Sequence, residues 1–242
     1  TGTFQVRNNG GTTFTSATPV TIDYNGLDII FDPGAGFQRY EPDLINDNGG
    51  AAGDYTLTFN TGFFGNAPAV ASFRDALANW VFKTGVNFVD AGAATSAINT
   101  NNTGDGVNIV TFNGGLPAGV LGVSFSSYNG CFCGGAVHWF VNDLDLLFST
   151  VPSPGFTWFF TCDASGITGS QFDFQSVATH ELGHHHQLGH IINTAGVMHF
   201  SIANGQVKRL INTNDEAGRD YNMVHSMINN PCGPAAMTFL AG

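Results

Sequence analysis

The chain has 242 residues, of which 43% are hydrophobic and only 10% are charged, so it can bury the core of one large domain, with or without an extension. Seven Lys and Arg residues against eighteen Asp and Glu residues give a formal net charge of −11, which argues against nucleic acid and anionic membrane surfaces as partners. No apolar run is long enough to cross a bilayer as a helix, so we expect no membrane partner.

Residues 1–53 form the first region that the composition sets apart. They are rich in Gly, Asn, Thr and Asp, and the short apolar runs at 20–22 and 27–31 predict strands separated by turns. The Gly- and Asn-rich stretch 46–53 predicts a loop and marks the best domain boundary. We therefore predict an N-terminal β-rich extension or retained pro-segment at 1–53, followed by a second domain at 54–242.

A strand, a helix and two further strands are predicted after this boundary. Residues 55–59 alternate between polar and apolar and predict a strand. Asn66 predicts a helix start, with Pro68 in the first turn, and the pair Thr84-Gly85 predicts its end. Four apolar residues between these signals recur at helical spacing and predict a buried stripe: Val70, Phe73, Leu77 and Trp80. Strands are predicted next at 86–89 and 107–112.

Two strands and two helices are predicted in the rest of the chain. Apolar segments at 119–125 and 136–142 predict the strands. A helix is predicted at 171–188, with Ser170 or Asp173 as its cap. The last helix should begin near Thr213, because Thr213-x-x-Glu216 has the pattern of a capping box.

The predicted helix at 171–188 carries residues that can do chemistry. His180 and His184 are four residues apart, so they share one face of a helix and can bind one metal ion. Glu181 lies beside them and is not needed as a ligand, so it can act as a base toward water. The pattern also arises by chance, and the neighbouring His185 and His186 fit a His-rich tract that binds metal adventitiously. We expect these two to point away from the metal face, as support for the ligands or toward solvent.

A catalytic zinc site usually takes three protein ligands, so one more is needed. His190 stands six residues after His184 and needs only a short turn to reach the metal. Glu216 is the alternative, because the segment 214–220 faintly resembles the downstream Glu helix of thermolysin-like enzymes. We favour His190, because little loop must be ordered to bring it to the metal and because Glu216 already has a local role as the acid of the predicted capping box.

These residues resemble the metzincin clan of zinc endopeptidases, whose pattern is His-Glu-x-x-His-x-x-Gly-x-x-His followed by a methionine turn. His180, Glu181, His184, His190 and Met198 are in register, and the short step to Met198 is closest to the matrixin branch, of a secreted bacterial type. The resemblance implies an α+β fold, with a twisted, mostly parallel sheet and an antiparallel edge strand packed on the active-site helix. A small C-terminal subdomain with a terminal helix completes that fold. The implied reaction is hydrolysis of peptide bonds by zinc-activated water, with Glu181 as general base.

The resemblance also implies a substrate cleft. The segment 119–125 resembles the edge strand of the matrixin cleft, to which an extended peptide can add as a further strand. Residues after the third ligand should form the wall of the pocket for the side chain that follows the cut bond, above Met198. The substrate-binding residues expected on this basis are Gly119, Val120, Leu121, Val197, His199 and Phe200. Phe200 stands where astacin-like methionine turns carry Tyr, so we predict no fifth protein ligand.

One position departs from the clan pattern. The glycine three residues after the second His is Gln187 here. Because that glycine permits a sharp turn, we expect the turn to be made at Gly189 instead.

One catalytic zinc is the predicted cofactor. Matrixins often hold a second, structural zinc through several His and an Asp, whereas only His138 occurs in the matching region, so we interpret it as an ordinary strand residue. Calcium is left open as a further cofactor, with solvated acids as the favoured interpretation of its candidate ligands: Asp143, Asp145 and Asp173.

The four cysteines, at 131, 133, 162 and 232, lack a C-x-x-C spacing, and we predict disulfides, with free buried thiols as the alternative. The chain starts at Thr1 without an initiator Met, so we take it as a trimmed product that is secreted and extracellular. We expect a monomer that acts on protein or peptide substrates. The rival function is a non-catalytic zinc- or nickel-binding module or an adhesion domain, which has no use for the acid at Glu181.

Overall fold

Three antiparallel strands and one short strand make up the described part of the N-terminal region. The computed structural model describes residues 3–8, 13–16, 27–32, 38–39, 55–86, 88–93, 105–191 and 193–226. Strands β1 (Thr3–Asn8), β2 (Thr13–Ser16) and β3 (Leu27–Asp32) form a sheet in the order β2-β1-β3, which confirms the strand predicted at 27–31. The strand predicted at 20–22 lies outside the described residues. Strand β4 (Gln38–Arg39) follows and pairs with a segment near the end of the active-site helix.

A five-stranded sheet forms the frame of the second region. Its strands are β5 (Tyr55–Phe59), β6 (Phe88–Ala93), β7 (Ile109–Asn113), β8 (Gly122–Cys133) and β9 (Ala136–Ser149), in the order β6-β5-β7-β9-β8. Every pairing is parallel except that of β8 with β9. The predicted mostly parallel sheet with an antiparallel edge strand is therefore confirmed. Gly119, Val120 and Leu121 lie just before β8 rather than in it.

The helix predicted after Asn66 is confirmed at both ends. After the single turn α1 (Thr61–Phe64), helix α2 runs over Ala67–Thr84, and the Asn66 side chain accepts a hydrogen bond from the Ala69 N–H at 3.2 Å. Gly85 ends it in the left-handed conformation, at φ 67°. The four predicted stripe residues are buried against the sheet and the active-site helix. Local capping signals were therefore sufficient to place this helix.

An aromatic cluster fills the space between the sheet and the helices. The rings of Phe59, Phe63 and Phe73 contact one another, with centroids 5.5–6.0 Å apart. The rings of Phe148 and Phe174 are also in contact, with centroids 4.8 Å apart. All five side chains are essentially inaccessible to solvent. Truncation of such a residue to Ala typically costs about 3–5 kcal/mol, so this cluster fixes the active-site helix on the sheet.

The active-site helix α3 runs over Phe174–His185 and is shorter than the predicted 171–188. It starts later because the first three of these residues form strand β11 (Gln171–Asp173), which pairs with β10 (Thr157–Phe159). A 3₁₀ turn at Ala164–Gly166 lies between the two strands. Asp173 is its cap, as predicted, and accepts a hydrogen bond from the Ser176 N–H at 3.1 Å. Beyond the helix, β12 (Leu188–Gly189) pairs antiparallel with β4.

The terminal helix α4 (Thr213–Ser226) is confirmed, but its cap is not the predicted one. Asn212 caps it: its side-chain oxygen accepts from the Asn214 and Asp215 N–H groups, at 2.8 and 3.1 Å. Asp215 in turn accepts from the Asn212 N–H at 3.3 Å. The capping box therefore lies one residue earlier than predicted, and Glu216 is not its acid. Among the described residues, no helix has the length and apolar character needed to cross a membrane.

Candidate active site

The chain turns after α3 at Gln187, not at Gly189. Gln187 has φ 61°, and it is the only non-glycine residue with positive φ among the residues that the structure describes. Its buried side chain accepts a hydrogen bond from the Tyr128 hydroxyl at 2.6 Å and donates one to the Ser126 hydroxyl at 3.1 Å. Two residues of the edge strand β8 thus hold a left-handed backbone that glycine would adopt without strain. Gly189 lies in β12 and was the wrong choice for the turn.

This turn brings three imidazoles together. The Nε2 atom of His190 lies 3.2 Å from the Nε2 atoms of both His180 and His184. One nitrogen from each ring lies within 4.8 Å of the other two, and no other group of three metal-binding side chains forms within the described ranges. The structure therefore places His190, rather than Glu216, beside the helix pair. Glu216 instead lies 3.9 Å from the Lys83 ammonium.

Backbone carbonyls fix the orientation of the two helix histidines. The Nδ1 of His180 lies 2.8 Å from the carbonyl oxygen of Val197, and the Nδ1 of His184 lies 2.7 Å from that of Leu188. A carbonyl only accepts, so each Nδ1 carries the proton and each neutral ring turns the lone pair of Nε2 toward the shared point.

The three convergent nitrogens fit a zinc ion. Tetrahedral zinc with nitrogen ligands at about 2.0–2.1 Å separates two of those nitrogens by about 3.3 Å, close to the 3.2 Å observed here. A single cation between them would bind all three nitrogens at once. His180, His184 and His190 would hold that ion.

Burial keeps the helix histidines in the form that a metal binds. Burial, followed by the neighbouring His190, lowers the pKa of His180 to about 3. Burial, followed by the charge of His180, also holds the pKa of His184 well below its usual value. Protons therefore do not compete for these nitrogens near neutral pH.

Glu181 faces the same cavity from α3. The cavity has a volume of about 430 Å³ and is lined by Glu181 and the three histidines. Burial raises the pKa of the Glu181 carboxyl to about 8, while a hydrogen bond from the Ser124 backbone opposes the shift. A Cβ added to Gly122 would lie 2.8 Å from Glu181, so the edge strand approaches the acid at a position where only glycine leaves room. The geometry places an acid that can exchange protons beside a candidate metal site.

Met198 packs beneath the helix that carries the ligands. It is buried, and its sulfur would lie only 2.2 Å from a Cβ added to Gly183. The Met198 carbonyl accepts from the Ile191 N–H at 3.0 Å, so the turn is tied to the segment that follows the third ligand. Asp215 accepts from the Val197 N–H at 3.3 Å and anchors the same turn to α4.

The cavity contains all six residues expected to bind substrate: Gly119, Val120, Leu121, Val197, His199 and Phe200. It also contains residues that the sequence analysis missed: Ser176, Val177, Ser201, Ile202 and Lys208. The helical period gave a signal for the first two, since they precede His180 by four and three residues. Lys208 gave a weaker signal, as one of seven basic residues in an acidic chain.

His185 and His186 lie in the protein interior. His185 and His186 are fully buried, so the solvent-facing orientation was wrong. The His186 ring packs on Trp80 and Phe88, at centroid distances of 4.6 and 5.2 Å. The backbone of His138 lies in β9, and its side chain is outside the described residues.

The three candidate calcium ligands are not solvated acids. Asp143, Asp145 and Asp173 have no exposed surface. Asp173 forms an ion pair with Arg209 at 2.6 Å, and Asp145 accepts from the Ile109 N–H at 3.0 Å. Burial raises the pKa of Asp145 to about 7. Ile109 and Arg209 each lie 36 positions from the acid that they contact, which is why the sequence alone gave the wrong environment for Asp145 and Asp173.

Three of the four cysteines lie in the part of the chain that the structure describes. Cys162 is an exposed free thiol. Cys131 and Cys133 lie on β8, and Cys232 lies outside the described residues. For Cys162 the predicted disulfide was therefore wrong, and for the other three cysteines disulfide use stays a prediction.

Comparison with known proteins assigns the family. A sequence profile described as matrixin, a peptidase family, matches residues 53–221, which is more than half of the chain. A search among curated proteins finds no match. The matched region spans the five-stranded sheet, α3, the three histidines and the start of α4. The chain therefore belongs to the matrixin family of zinc metallopeptidases.

Proposed function

We propose that the chain is a secreted zinc endopeptidase that cuts peptide bonds within protein substrates. The observation that carries the proposal is the convergence of His180, His184 and His190 in a cavity that Glu181 also lines. A module that only stores or binds metal has no need of an acid at this point. Secretion and a monomeric state belong to the proposal and rest on the sequence expectations alone.

Glu181 is the group that moves protons in this proposal. Zinc, when bound, supplies a Lewis acid that polarises the scissile carbonyl and makes water more acidic. A bound zinc ion would favour the carboxylate form of Glu181, because a nearby positive charge lowers the pKa of an acid. In that form Glu181 takes a proton from the attacking water and later gives it to the leaving amine. Because water is the attacking group, no covalent acyl-enzyme forms. The hydrogen bond from the Ser124 backbone holds the carboxyl against the strand that borders the cleft.

The edge strand supports binding of an extended peptide. β8 is the last strand of the five-stranded sheet, and its residues 122–124 line the cavity together with 119–121. An edge strand offers N–H and C=O groups to a further strand, so a substrate backbone can align along this rim. This placement brings a peptide carbonyl toward the three histidines and Glu181.

Digestion of casein with and without a chelator tests the proposal. The zinc-loaded protein should cut casein at internal bonds, the chelated protein should not, and added zinc should restore cleavage. Mass spectrometry of the products separates internal cuts from removal of terminal residues. Fully zinc-loaded protein that cuts neither casein nor a diverse peptide library would favour the metal-binding or adhesion module instead.

A further inference from the structure

Lys208 places a positive charge in the wall of the active-site cavity. It lines the cavity together with Ser176 and Val177 from the start of α3 and Ser201 from the segment after Met198. Its Nζ donates a hydrogen bond to the Ser201 carbonyl at 3.1 Å. The charge therefore lies at the wall between α3 and the methionine turn, not on a remote surface.

The backbone around Lys208 is fixed in this position. The Lys208 N–H donates to the Ser176 hydroxyl at 2.6 Å, which joins it to the first turn of α3. The next residue, Arg209, donates to both carboxylate oxygens of Asp173, at 2.8 and 2.6 Å. Asp173 is fully buried and the Arg209 side chain is 9% exposed, so this pair anchors the segment firmly. Lys208 is thus presented by a rigid backbone and carries a flexible side chain.

Within the described part of the chain, Lys208 lacks the acidic partner that three other basic side chains have. Arg209 is neutralised by Asp173, Arg74 pairs with Asp90 at 2.6 Å, and Lys83 lies near Glu216. Lys208 has no carboxylate within ion-pair distance among the residues that the structure describes.

Partial burial of Lys208 also indicates that its charge is not compensated by a neighbouring acid in the described ranges. Burial lowers the pKa of Lys208, and no neighbouring acid raises it. Burial also lowers the pKa of His199; a hydrogen bond at the Ser201 backbone opposes the shift, and the charge of Lys208 adds to it. A carboxylate on a bound peptide would stabilise the charged form of this ammonium group and so compensate for the water that it has lost.

We propose that Lys208 makes the cavity select substrates that carry a carboxylate on the residue bound between α3 and the 199–202 segment. The carboxylate comes from an Asp or Glu side chain or from the free C-terminus of a short peptide. This inference rests on the proposed peptidase function and names its substrate class. The overall charge of −11 disfavours acidic substrates at long range, so an acid preference requires a local cation of this kind.

A cleavage profile with matched peptides tests the inference. Library digestion by the zinc-loaded protein should enrich Asp and Glu at one position next to the cut bond. Peptides with Glu or Gln at that position should differ in kcat/KM, and Lys208→Met should reduce the Glu/Gln ratio by about fivefold or more. Lys208→Arg should keep most of the preference. Lys83→Met is the matched control, because it removes one charge outside the cavity and should leave the ratio unchanged.

Two further measurements separate the possible results. Raised salt should reduce the Glu/Gln ratio of the wild-type protein, which requires no variant to fold. Paired peptides with a free or amidated C-terminus at the selected position distinguish a terminal carboxylate from a side-chain one. Equal rates for the Glu and Gln peptides, together with equal rates for the free and amidated ends, would overturn the inference while the peptidase function stands. Failure of the wild-type protein to cut any of the peptides would instead refute the proposed function itself.

Discussion

Replacement of Gln187 by Gly and by Ala should separate the strain at the turn from the bonds that hold it. Gln187 keeps a left-handed backbone at φ 61°, and its side chain bonds to Tyr128 and Ser126 on β8. Each of these two hydrogen bonds contributes about 0.5–1.5 kcal/mol. The left-handed conformation of a residue with a Cβ costs about 1–2 kcal/mol.

The two variants lose the same bonds but differ in strain. Gln187→Gly should lower the free energy of unfolding by about 1 kcal/mol or less, because relief of strain offsets most of the lost bonding. Gln187→Ala keeps a Cβ at positive φ and should be less stable than the Gly variant by about 1 kcal/mol. Both should bind zinc more weakly, since the turn that positions His190 is no longer tied to β8.

Urea unfolding and zinc competition with a chromophoric chelator measure these effects. Tyr128→Phe, alone and combined with Gln187→Gly, gives the coupling between the two side chains, expected at about 1 kcal/mol. A Gly variant more stable than wild type would show that the side-chain bonds do not offset the strain. Equal stability of the Gly and Ala variants would show that the turn carries no strain.

The other predictions concern the acid, the third ligand and Phe200. Gly122→Ala should keep zinc but lower kcat/KM by about tenfold or more, because its Cβ would lie 2.8 Å from Glu181; an unchanged rate in a peptide assay would contradict this. His190→Ala should lose zinc and activity, whereas Glu216→Ala should keep both and change stability by less than about 1 kcal/mol, as its ion pair is long and partly exposed. Zinc analysis showing the reverse pattern would refute the ligand assignment. Phe200→Tyr should not raise activity strongly, and a gain of about a hundredfold would reveal a site built for a Tyr hydroxyl.

Local signals in the sequence were sufficient for much of the fold. The Asn66 cap and the Gly85 stop act within one helical turn, so the bounds of α2 were predictable. The spacing of His180 and His184 fixes their common face on any helix. The short distance to His190 made it the natural third ligand, as the three-imidazole cluster supports.

Long-range contacts determine what the sequence analysis missed. The left-handed Gln187 depends on Tyr128 and Ser126, which are about sixty positions away along the chain. The burial of His185 follows because α3 is enclosed on nearly all sides, so it lacks the solvent face expected of a surface helix. The position of Lys208 depends on the hydrogen bond from its backbone to Ser176 and on the ion pair of its neighbour Arg209 with Asp173.

Glu181→Gln, assayed for zinc and for peptide cleavage in the same preparation, tests the central claim most directly. Gln has nearly the same shape and can still accept the Ser124 backbone hydrogen bond, but it cannot act as a base. The variant should bind one zinc like the wild-type protein, and its kcat should fall by about a hundredfold or more. Glu216→Gln controls for the loss of one negative charge and should keep full activity. Loss of zinc would make Glu181 a ligand, and retained cleavage would exclude it as the base; either result contradicts the account.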